Sequence, residues 1–319
     1  MNTISLVILN FNGRSILEPC VQSLLQMHCR DAEILVIDNG STDDSLDSCP
    51  KEARLIRLGA NLGFAAGMNA GIRASSGEFV ATLNNDIEVA PGWLDEPMRL
   101  FASDPRIGIV GCRQMKHADH DVVDDLFSIP TGHLLFGRFG RNLPVDKVAY
   151  ALHPGMVIGA AGAAAIYRRA MLDEIGLFEE SFFAFQEECD LHMRAFFAGW
   201  KCAFAPSSVV YHKGSVSFNK VKPTFFYYHE RNRIWFIYRN FPLGYILRNL
   251  PMILLREFRT FLNIAIARRL PGTYLRARLD GLRGMFAFRE ARAKNVAEFK
   301  KRKTVFERFR KEKIIPPGA

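Results

Sequence analysis

Residues 61–89 read NLGFAAGMNAGIRASSGEFVATLNNDIEV, and this stretch decides the fold class. Its first half repeats small and apolar residues, which predicts a glycine-rich helix through Ala74. The four-residue spacing of Gly67 and Gly71 predicts close packing of this helix on the sheet. Its second half contains the run EFVATL, residues 78–83, which predicts a buried β-strand. Two amides and a carboxylate follow this strand directly, at residues 84–86. The stretch therefore predicts a helix and a strand, and the strand ends in polar side chains.

The chain before this stretch alternates strands and helices in the same manner. Apolar residues at helical spacing between Ser15 and Met27 predict another helix. Three further runs predict strands, namely ISLVILN (4–10), EILVID (33–38) and ARLIRL (53–58). The segment NGSTDDS, residues 39–45, predicts a turn and the N-cap of a helix before the third strand. The resulting βαβαβαβ order predicts a parallel sheet with covering helices and right-handed crossovers.

All four predicted strands end in polar residues. The ends are Asn10-Phe11-Asn12-Gly13, Asp38-Asn39-Gly40, Asn61-Leu62-Gly63 and Asn84-Asn85-Asp86. Asn, Asp and Gly are ordinary turn residues, so one such end alone indicates little. Ligands of parallel sheets bind beyond the carboxyl ends of the strands, and four polar ends together therefore predict a polar ligand at this edge.

Charge is distributed unevenly along the 319 residues. Residues 1–219 hold 18 Lys and Arg against 26 Asp and Glu, a net charge of −8, whereas residues 220–319 hold 24 against 7, a net charge of +17. Such segregation is typical of chains whose basic part meets a polyanion, either nucleic acid or a membrane surface. We expect the acidic body and the basic tail to have different roles.

Cysteine usage and hydropathy point to a cytosolic setting. The six cysteines form no C-x-x-C pair, which predicts reduced and mostly buried thiols. No charged leader precedes the first strand, so we expect no signal peptide. The longest uncharged run, residues 148–167, contains His153-Pro154 and several glycines. It predicts a buried loop and strand rather than a membrane-spanning helix.

Four segments in consecutive order closely resemble the inverting glycosyltransferases of family 2, in particular the rhamnosyltransferase-like branch that extends bacterial surface polysaccharides. The segments are SLVILNFNG, ILVIDNGSTDDS, NLGFAAGMNAGIRASSGEFVATLNNDIEVAPGWL and FFAFQEECDLHMRAFFAGW. The resemblance covers residues 3–240, and several motifs in order are more specific than any single glycine pattern. It implies an α/β, Rossmann-like nucleotide-sugar transferase fold (type A) with a mostly parallel central sheet.

Within this resemblance, residues 84–86 stand at a metal-binding motif of the Asp-x-Asp type. Asp86 is the expected ligand of Mn²⁺ or Mg²⁺, because a carboxylate oxygen suits a hard cation. Asn84 replaces the commoner acidic residue and leaves less negative charge for the ion. His212 is the expected second ligand. Taken alone, residues 84–86 also fit a polar turn, and His212 also fits a solvated or core histidine.

The resemblance places a nucleotide-sugar donor across the polar strand ends. Asp38 is expected to accept the imide N–H of a pyrimidine base, and Phe11 to stack on that base. A turn or cap for Asp38 and a buried aromatic for Phe11 are the alternatives. Gly63 is expected to let the backbone approach the donor. The expected donor-binding residues are Asn10, Phe11, Asp38, Gly63, Asn69, Asn84 and Asn85.

The general base is expected in FQEECDLHMR, residues 185–194. The family usually has Glu-Asp at this position, with the second acid as the base, so Glu188 takes that role with a side chain one methylene longer. A carboxylate within hydrogen-bond range of the acceptor hydroxyl is what general-base catalysis requires. Helix capping is the alternative for Glu188, since carboxylates favour the first turn of a helix.

Two residues are expected on the acceptor side. Gly162 lies in VIGAAGAAAIYRR, which resembles a strand where small residues leave room for a sugar; packing under a helix is the alternative. Asp190 follows the base, and its i, i+4 spacing to Arg194 also fits a simple ion pair.

From residue 223 the sequence changes to helices rich in Arg, Phe, Leu and Ile. We therefore divide the chain into a nucleotide-sugar-binding and catalytic domain, residues 1–222, and a basic amphipathic helical region, residues 223–319. Arginines interrupt the apolar runs too often for a bilayer span but suit helices in a membrane interface. Long aliphatic stretches disfavour nucleic acid as the partner. A solvated bundle or a dimer interface remains an alternative.

The expected function is inverting transfer of a sugar to a hydroxyl of a saccharide or of a polyprenyl-diphosphate-linked saccharide in surface polysaccharide synthesis. Rhamnose from dTDP-rhamnose is the expected donor, with UDP-hexoses as the alternative. A degenerate, non-catalytic module with a nucleic-acid-binding or dimerising tail is the other alternative. The expected location is cytoplasmic and peripheral, on the inner face of the cell membrane and in contact with its anionic surface.

Overall fold

A computed structural model describes residues 3–27, 29, 31–47, 49–214 and 223–313. Strands and helices alternate in its amino-terminal part, as the periodicity predicts, except between residues 38 and 54. The described residues of that connection form turns and no helix, so the predicted βαβαβαβ order is wrong there. Their bounds are β1 Ile4–Asn10, α1 Leu17–Leu25, β2 Ala32–Asp38, β3 Arg54–Arg57, α2 Gly63–Ala74, β4 Phe79–Asn84, β5 Ile87–Val89, α3 Asp95–Ser103 and β6 Ile107–Lys116.

The central part holds shorter strands before returning to longer elements. These are β7 Asp119–Asp125, β8 Phe127–Pro130, β9 Phe136–Arg138, β10 Gly155–Val157, β11 Gly159–Ala160, β12 Ala164–Arg168, α4 Arg169–Ile175, α5 Glu187–Ala198 and β13 Lys201–His212. Short 3₁₀ helices lie at Val145–Ala151 and Glu180–Phe182.

The described carboxyl-terminal residues are helical. The helices are α6 Pro223–Asn240, α7 Leu243–Arg248, α8 Leu250–Phe261, α9 Pro271–Gly284 and α10 Arg289–Glu312. A π-helical turn, Leu262–Ala267, follows α8, and a 3₁₀ turn, Met285–Phe288, follows α9.

The central sheet has the order β10-β13-β6-β12-β4-β1-β2-β3. The β3-β2-β1-β4 half is parallel, as the βαβ pattern predicts, and β6 and β13 are also parallel to each other. β12 runs antiparallel between β4 and β6. Asn10 pairs with Asp38 in register and Leu9 pairs with Asn84, so the three polar strand ends meet at one edge.

Apolar side chains cover both faces of this sheet. In β1, Val7 belongs to the cluster that packs with α2, whereas Leu6 and Ile8 belong to the cluster that packs with α1. A Cβ at Gly67 would lie 2.4 Å from Leu9 Cδ1, and one at Gly71 would lie 2.3 Å from Val7 Cγ1. The glycines of α2 therefore let the helix lie close against β1, as predicted.

The stretch VIGAAGAAAIYRR differs from the single strand expected. It is divided between the short strand β11, a turn that contains Gly162, and β12. β11 leaves the main sheet and joins a small antiparallel sheet of order β11-β8-β9. This change of direction brings Gly162 to the site described below.

The carboxyl-terminal helices share a hydrophobic core with the rest of the chain. Phe196 and Phe197 of α5 pack with Phe241, Phe299 and Phe306 from the helical region. The division at residue 222 falls in 215–222, outside the described residues, and stays a prediction. Within the part of the chain that the structure describes, no helix is both long enough and apolar enough to cross a membrane.

Candidate active site

Asn10 is the fully buried centre of the donor end. Its Nδ2 donates to the hydroxyls of Ser41, at 3.2 Å, and Ser45, at 3.0 Å. Its Oδ1 accepts a hydrogen bond of 2.8 Å from Nδ2 of the buried Asn85. A Cβ at Gly13 would lie 2.1 Å from that Oδ1, so only glycine fits there. Asn10 and Asn85 thus position the loops around the predicted donor site.

Asp38 lies beside this network at the end of β2. Its Oδ1 accepts a hydrogen bond of 2.9 Å from the backbone N–H of Ser41, the turn contact that the sequence offers as an alternative role. Phe11 and Asn84 are half-buried at the ends of the two neighbouring strands. Asp38, Phe11 and Asn84 therefore share one edge, and their contacts with a nucleotide stay a prediction.

Gly63 and Asn69 contact the segment that precedes α5, residues 178–183. Gly63 has a φ of +86°, and a Cβ there would lie 2.5 Å from the carbonyl oxygen of Phe183. The buried Asn69 donates to the carbonyl of Phe178 at 2.9 Å and accepts from its N–H at 3.0 Å. Both residues have packing contacts in this structure, and their donor-binding role stays a prediction.

Asp86 and His212, the predicted metal ligands, lie together although they are far apart in sequence. Asp86 Oδ1 and His212 Nε2 are 3.2 Å apart, and both residues are buried. The other ring nitrogen of His212, Nδ1, lies 2.7 Å from Asp124 Oδ2. A carboxylate on the second nitrogen of a histidine fixes its ring orientation, as is usual for metal-binding histidines.

This pair fits a divalent cation. Two adjacent ligands of an octahedral ion, each at about 2.1 Å, lie about 3 Å apart, close to the 3.2 Å between Asp86 Oδ1 and His212 Nε2. Among the residues described, no group of three or more His, Cys, Asp or Glu side chains is arranged to hold a metal. The remaining ligands would come from water and the donor diphosphate, which is the usual arrangement for Mg²⁺.

The two carboxylates also set the charge of His212. Burial lowers the pKa of His212, but the hydrogen bonds to Asp124 and Asp86 outweigh burial and raise the pKa to about 9. Burial raises the pKa of Asp124, but the His212 contact and the charge of Arg138 outweigh it and lower the pKa to about 2. A cation between Asp86 and His212 would replace the proton on Nε2.

Glu188, the predicted general base, lies in the first turn of α5. A Cβ added to Gly162 would lie 2.1 Å from Glu188 Oε2, so the glycine leaves room for this carboxyl group. Burial raises the pKa of Glu188 to about 7, with Arg138 lowering it and Asp125 raising it. Burial and the charge of Glu188 raise the pKa of Glu187 well above its usual range.

Arg138 connects the metal pair with the predicted base. Its Nη2 lies 3.1 Å from Asp124 Oδ2, its Nε pairs with Asp125, and its charge acts on Glu188. Asp124, Asp125 and Arg138 are not among the site residues that the sequence predicts. The available signal was two carboxylates directly after the apolar pair Val122-Val123, the same pattern that marked the other strand ends.

Asp190 is fully buried, and both of its carboxylate oxygens have partners. Arg194 Nε lies 2.9 Å from its Oδ2, and Arg239 Nε and Asn240 Nδ2 lie 3.0 and 3.2 Å from its Oδ1. The pair with Arg194 is the i, i+4 contact that the spacing offers as an alternative. Asp190 thus joins α5 to α6 in this structure, and its role in acceptor binding stays a prediction.

A family model described as "Glycosyl transferase family 2" matches residues 5–176. An "N-acetylglucosaminyl-diphospho-decaprenol L-rhamnosyltransferase" of Mycobacterium tuberculosis is 29% identical over 220 residues, which cover 61% of this chain and 71% of that protein.

Two solved structures share the fold at low identity. GalNAc-T7 with UDP, GalNAc and Mn²⁺ superposes with a TM-score of 0.58 at 18% identity and covers 74% of this chain, which spans 48% of that structure. The Pyrobaculum calidifontis mannosyltransferase with GDP-Man and Mn²⁺ superposes with a TM-score of 0.54 at 14% identity, over 97% of this chain and 86% of that one.

Proposed function

The chain belongs to glycosyltransferase family 2 and has the type A fold, and on this basis we propose that it transfers a sugar from a nucleotide diphosphate to an acceptor hydroxyl with inversion of configuration. The observation that carries this proposal is one line of polar contacts. It runs from Asp86 and His212 through Asp124 to Arg138, and the charge of Arg138 in turn lowers the pKa of Glu188. A site for the leaving diphosphate and a base for the acceptor thus belong to one connected group of side chains.

Glu188 acts as the general base in this proposal. Its carboxylate takes the proton of the acceptor hydroxyl, whose oxygen attacks the anomeric carbon from the face opposite the diphosphate. A pKa of about 7 suits this task, because about half of the base is then ionised at neutral pH and its carboxylate still binds a proton well. A divalent ion held by Asp86 and His212 would neutralise the charge that develops on the leaving diphosphate.

The donor proposed is dTDP-rhamnose, with UDP-hexoses as the alternative. The name of the mycobacterial relative, an L-rhamnosyltransferase, supports rhamnose. The carboxylate of Asp38 at the polar strand ends supports a pyrimidine base, whose imide N–H it would accept.

The acceptor proposed is a saccharide on a lipid diphosphate, at the cytoplasmic face of the membrane. The name of the same relative specifies a diphospho-decaprenol acceptor. The net charge of +17 in residues 220–319 supports contact with an anionic surface. Helix α8 has no buried residue and exposes apolar side chains, which suits a helix lying in the membrane interface.

Calorimetric titration with dTDP, UDP and GDP, each with and without Mn²⁺, tests the donor site. We expect metal-dependent binding of a pyrimidine nucleotide and its loss in Asp86→Ala. A transfer assay with the corresponding nucleotide sugar and NMR of the anomeric centre then tests inversion. Binding of no nucleotide, or metal-independent binding that survives in Asp86→Ala, contradicts the proposed site.

A further inference from the structure

A groove of about 440 Å³ lies between α6, α8 and the turn that joins β8 to β9. We call it the cationic groove. Its lining includes the side chains of His133, Phe225, His229, Met252, Arg256 and Arg259.

Arg256 is a half-buried cation of this groove that pairs with none of the described carboxylates. Two carboxylates nearby, Glu230 and Glu257, each pair with both Arg233 and Arg278. Among the described residues Arg256 makes no hydrogen bond and no ion pair, and its half-buried Nε is shielded from water. A guanidinium has five N–H donors and binds phosphate in a bidentate manner, so an unpaired one in a groove favours an anionic ligand.

The pKa of a neighbouring histidine, His133, reflects the positive charge of the groove. Burial and the charges of Arg256, Arg233 and Arg310 lower the pKa of His133 to about 4. Arg259, exposed on the next turn of α8, adds another cation to the lining. An anion bound here would relieve this repulsion.

The other half of the groove is apolar, and part of its lining is open to solvent. Phe225, Met252 and Leu255 line it, and Met252 and Leu255 of α8 are 47% and 43% exposed. A ligand that satisfies both halves carries phosphate at one end and a hydrocarbon chain at the other. This combination describes a lipid phosphate better than a free nucleotide or a nucleic acid.

The groove adjoins the segment that carries the proposed base. The ring of Phe185 lies 5.0 Å from that of Phe225 and 6.0 Å from that of His229, measured between centroids. Phe185 precedes Glu188 by three residues. A sugar that presents its hydroxyl to Glu188 would therefore have its own phosphates near the groove.

The geometry points to the cationic groove as the binding site for the diphosphate of a lipid-linked acceptor, with Arg256 as its principal contact. The identification of the lipid as the acceptor rests on the proposed function; the anionic-lipid site itself rests on the groove. The hydrocarbon chain would leave along the exposed face of α8.

Binding of geranylgeranyl diphosphate to the full chain tests this assignment. Titrations in EDTA prevent metal-mediated binding at the donor end, and Asp86→Ala serves as a second control for that end. We expect Arg256→Gln to weaken binding at least tenfold, the loss expected for a charged hydrogen-bonding partner of phosphate. The matched exposed variant on α9, Arg283→Gln, should stay within twofold of the wild type. Unliganded Arg256→Gln should be at least as thermally stable as the wild type, because burial and the charges of Arg233 and Arg278 outweigh the attraction of Glu230 and Glu257 and lower the pKa of Arg256.

Three further ligands test which part of the lipid diphosphate the groove recognises. Inorganic diphosphate should bind at least tenfold more weakly than the lipid, geranylgeraniol should not compete, and phosphatidylglycerol vesicles should compete only weakly. Equal binding by Arg256→Gln and wild type overturns the site. Equal potency of inorganic diphosphate or of phosphatidylglycerol overturns the lipid diphosphate as its ligand. Donor binding and inversion are measured separately, so either proposal can fail while the other stands.

Discussion

The half-buried Glu188 carries its carboxyl group into a corner that Gly162 leaves open. Burial alone would keep this group protonated at neutral pH, and Arg138 opposes that effect. The balance gives a pKa of about 7, which lies where a general base works best. The surroundings of the residue therefore matter as much as its identity.

Replacing Glu188 by Gln should lower kcat about 10²–10⁴-fold, the usual contribution of a general base. In the wild type, kcat/KM should rise with pH up to about 7, because burial raises the pKa of the base to that value, and level off above it. The variant should lack this rise while binding nucleotide normally. Initial rates between pH 5 and 9 with saturating metal measure both effects; an unchanged rise in Glu188→Gln contradicts the assignment.

The same substitution should change stability in a pH-dependent manner. The folded state binds the Glu188 proton more tightly than the unfolded chain, so this stabilisation is complete below about pH 4 and is lost as pH rises through the folded pKa of about 7. Glu188→Gln should therefore match the wild type at pH 5 more closely than at pH 8, where it should be more stable by roughly 1–3 kcal/mol. Urea unfolding at both pH values measures this difference, with the exposed Glu52→Gln as control.

Gly162→Ala should disturb the base without removing it. The added methyl group would lie 2.1 Å from Glu188 Oε2, so the carboxyl group must move. We expect kcat to fall at least tenfold while the Kd for nucleotide stays within twofold, since displacement of a reacting group by about 1 Å costs up to 10²-fold. Steady-state kinetics with calorimetry tests this; wild-type kcat would mean that the carboxyl group has room elsewhere.

At the scale of elements, α6 donates hydrogen bonds to the backbone segment 182–186, which leads into α5. Three residues of this segment have positive φ values, Phe183 at 66°, Phe185 at 71° and Gln186 at 74°. Such conformations cost about 1–3 kcal/mol each and persist when surrounding contacts enforce them. Asn232 of α6 supplies contacts of 2.8, 2.7 and 2.8 Å to the carbonyls of Phe182, Ala184 and Phe185. The helical region thus takes part in positioning the base.

Asn232→Ala should lower both stability and kcat. The buried carbonyls would lose their donor, at a cost of about 1–3 kcal/mol, and the strained segment would relax. Kinetics at 15 °C, where the variant remains folded, should show a fall in kcat larger than the change in KM. Thr224→Ala, exposed in the first turn of the same helix, is the control. A variant with lower unfolding free energy and normal kcat would give Asn232 a structural role alone.

For the whole molecule, the basic tail both completes part of the hydrophobic core and forms an exposed surface. Its phenylalanines complete a core with α5, whereas many of its lysines and arginines and the apolar side chains of α8 are exposed. A mixed cationic and apolar surface is typical of peripheral membrane proteins. Nucleic acid would leave these apolar side chains in water.

The protein should float with anionic liposomes, and less so at high salt, because charge attraction is screened. The double change Leu254→Asp and Phe258→Asp should abolish flotation, since it places charge where apolar side chains are more than half exposed. Val305→Asp on α10, a residue 44% exposed, is the matched control. Flotation of the double variant equal to that of the wild type would contradict a membrane role for α8.

The sequence by itself determined the parallel half of the sheet, the close packing of α2 and the polar edge formed by the strand ends. These features follow from local periodicity, glycine spacing and turn chemistry, which neighbouring residues specify. The resemblance added Asp86, His212 and Glu188, and the structure places the first two side by side.

The tertiary structure alone decided which distant side chains complete the site. Asp124 meets His212 across 88 positions, Asn232 meets Phe182 across 50, and Asp190 meets Arg239 through the packing of α6 on α5. Arg256 has no ion-pair partner in the described part of the chain, because the nearby carboxylates, Glu230 and Glu257, pair with other arginines. Local sequence patterns do not specify such pairings. The pairings depend on how elements pack and on which charges burial leaves unpaired.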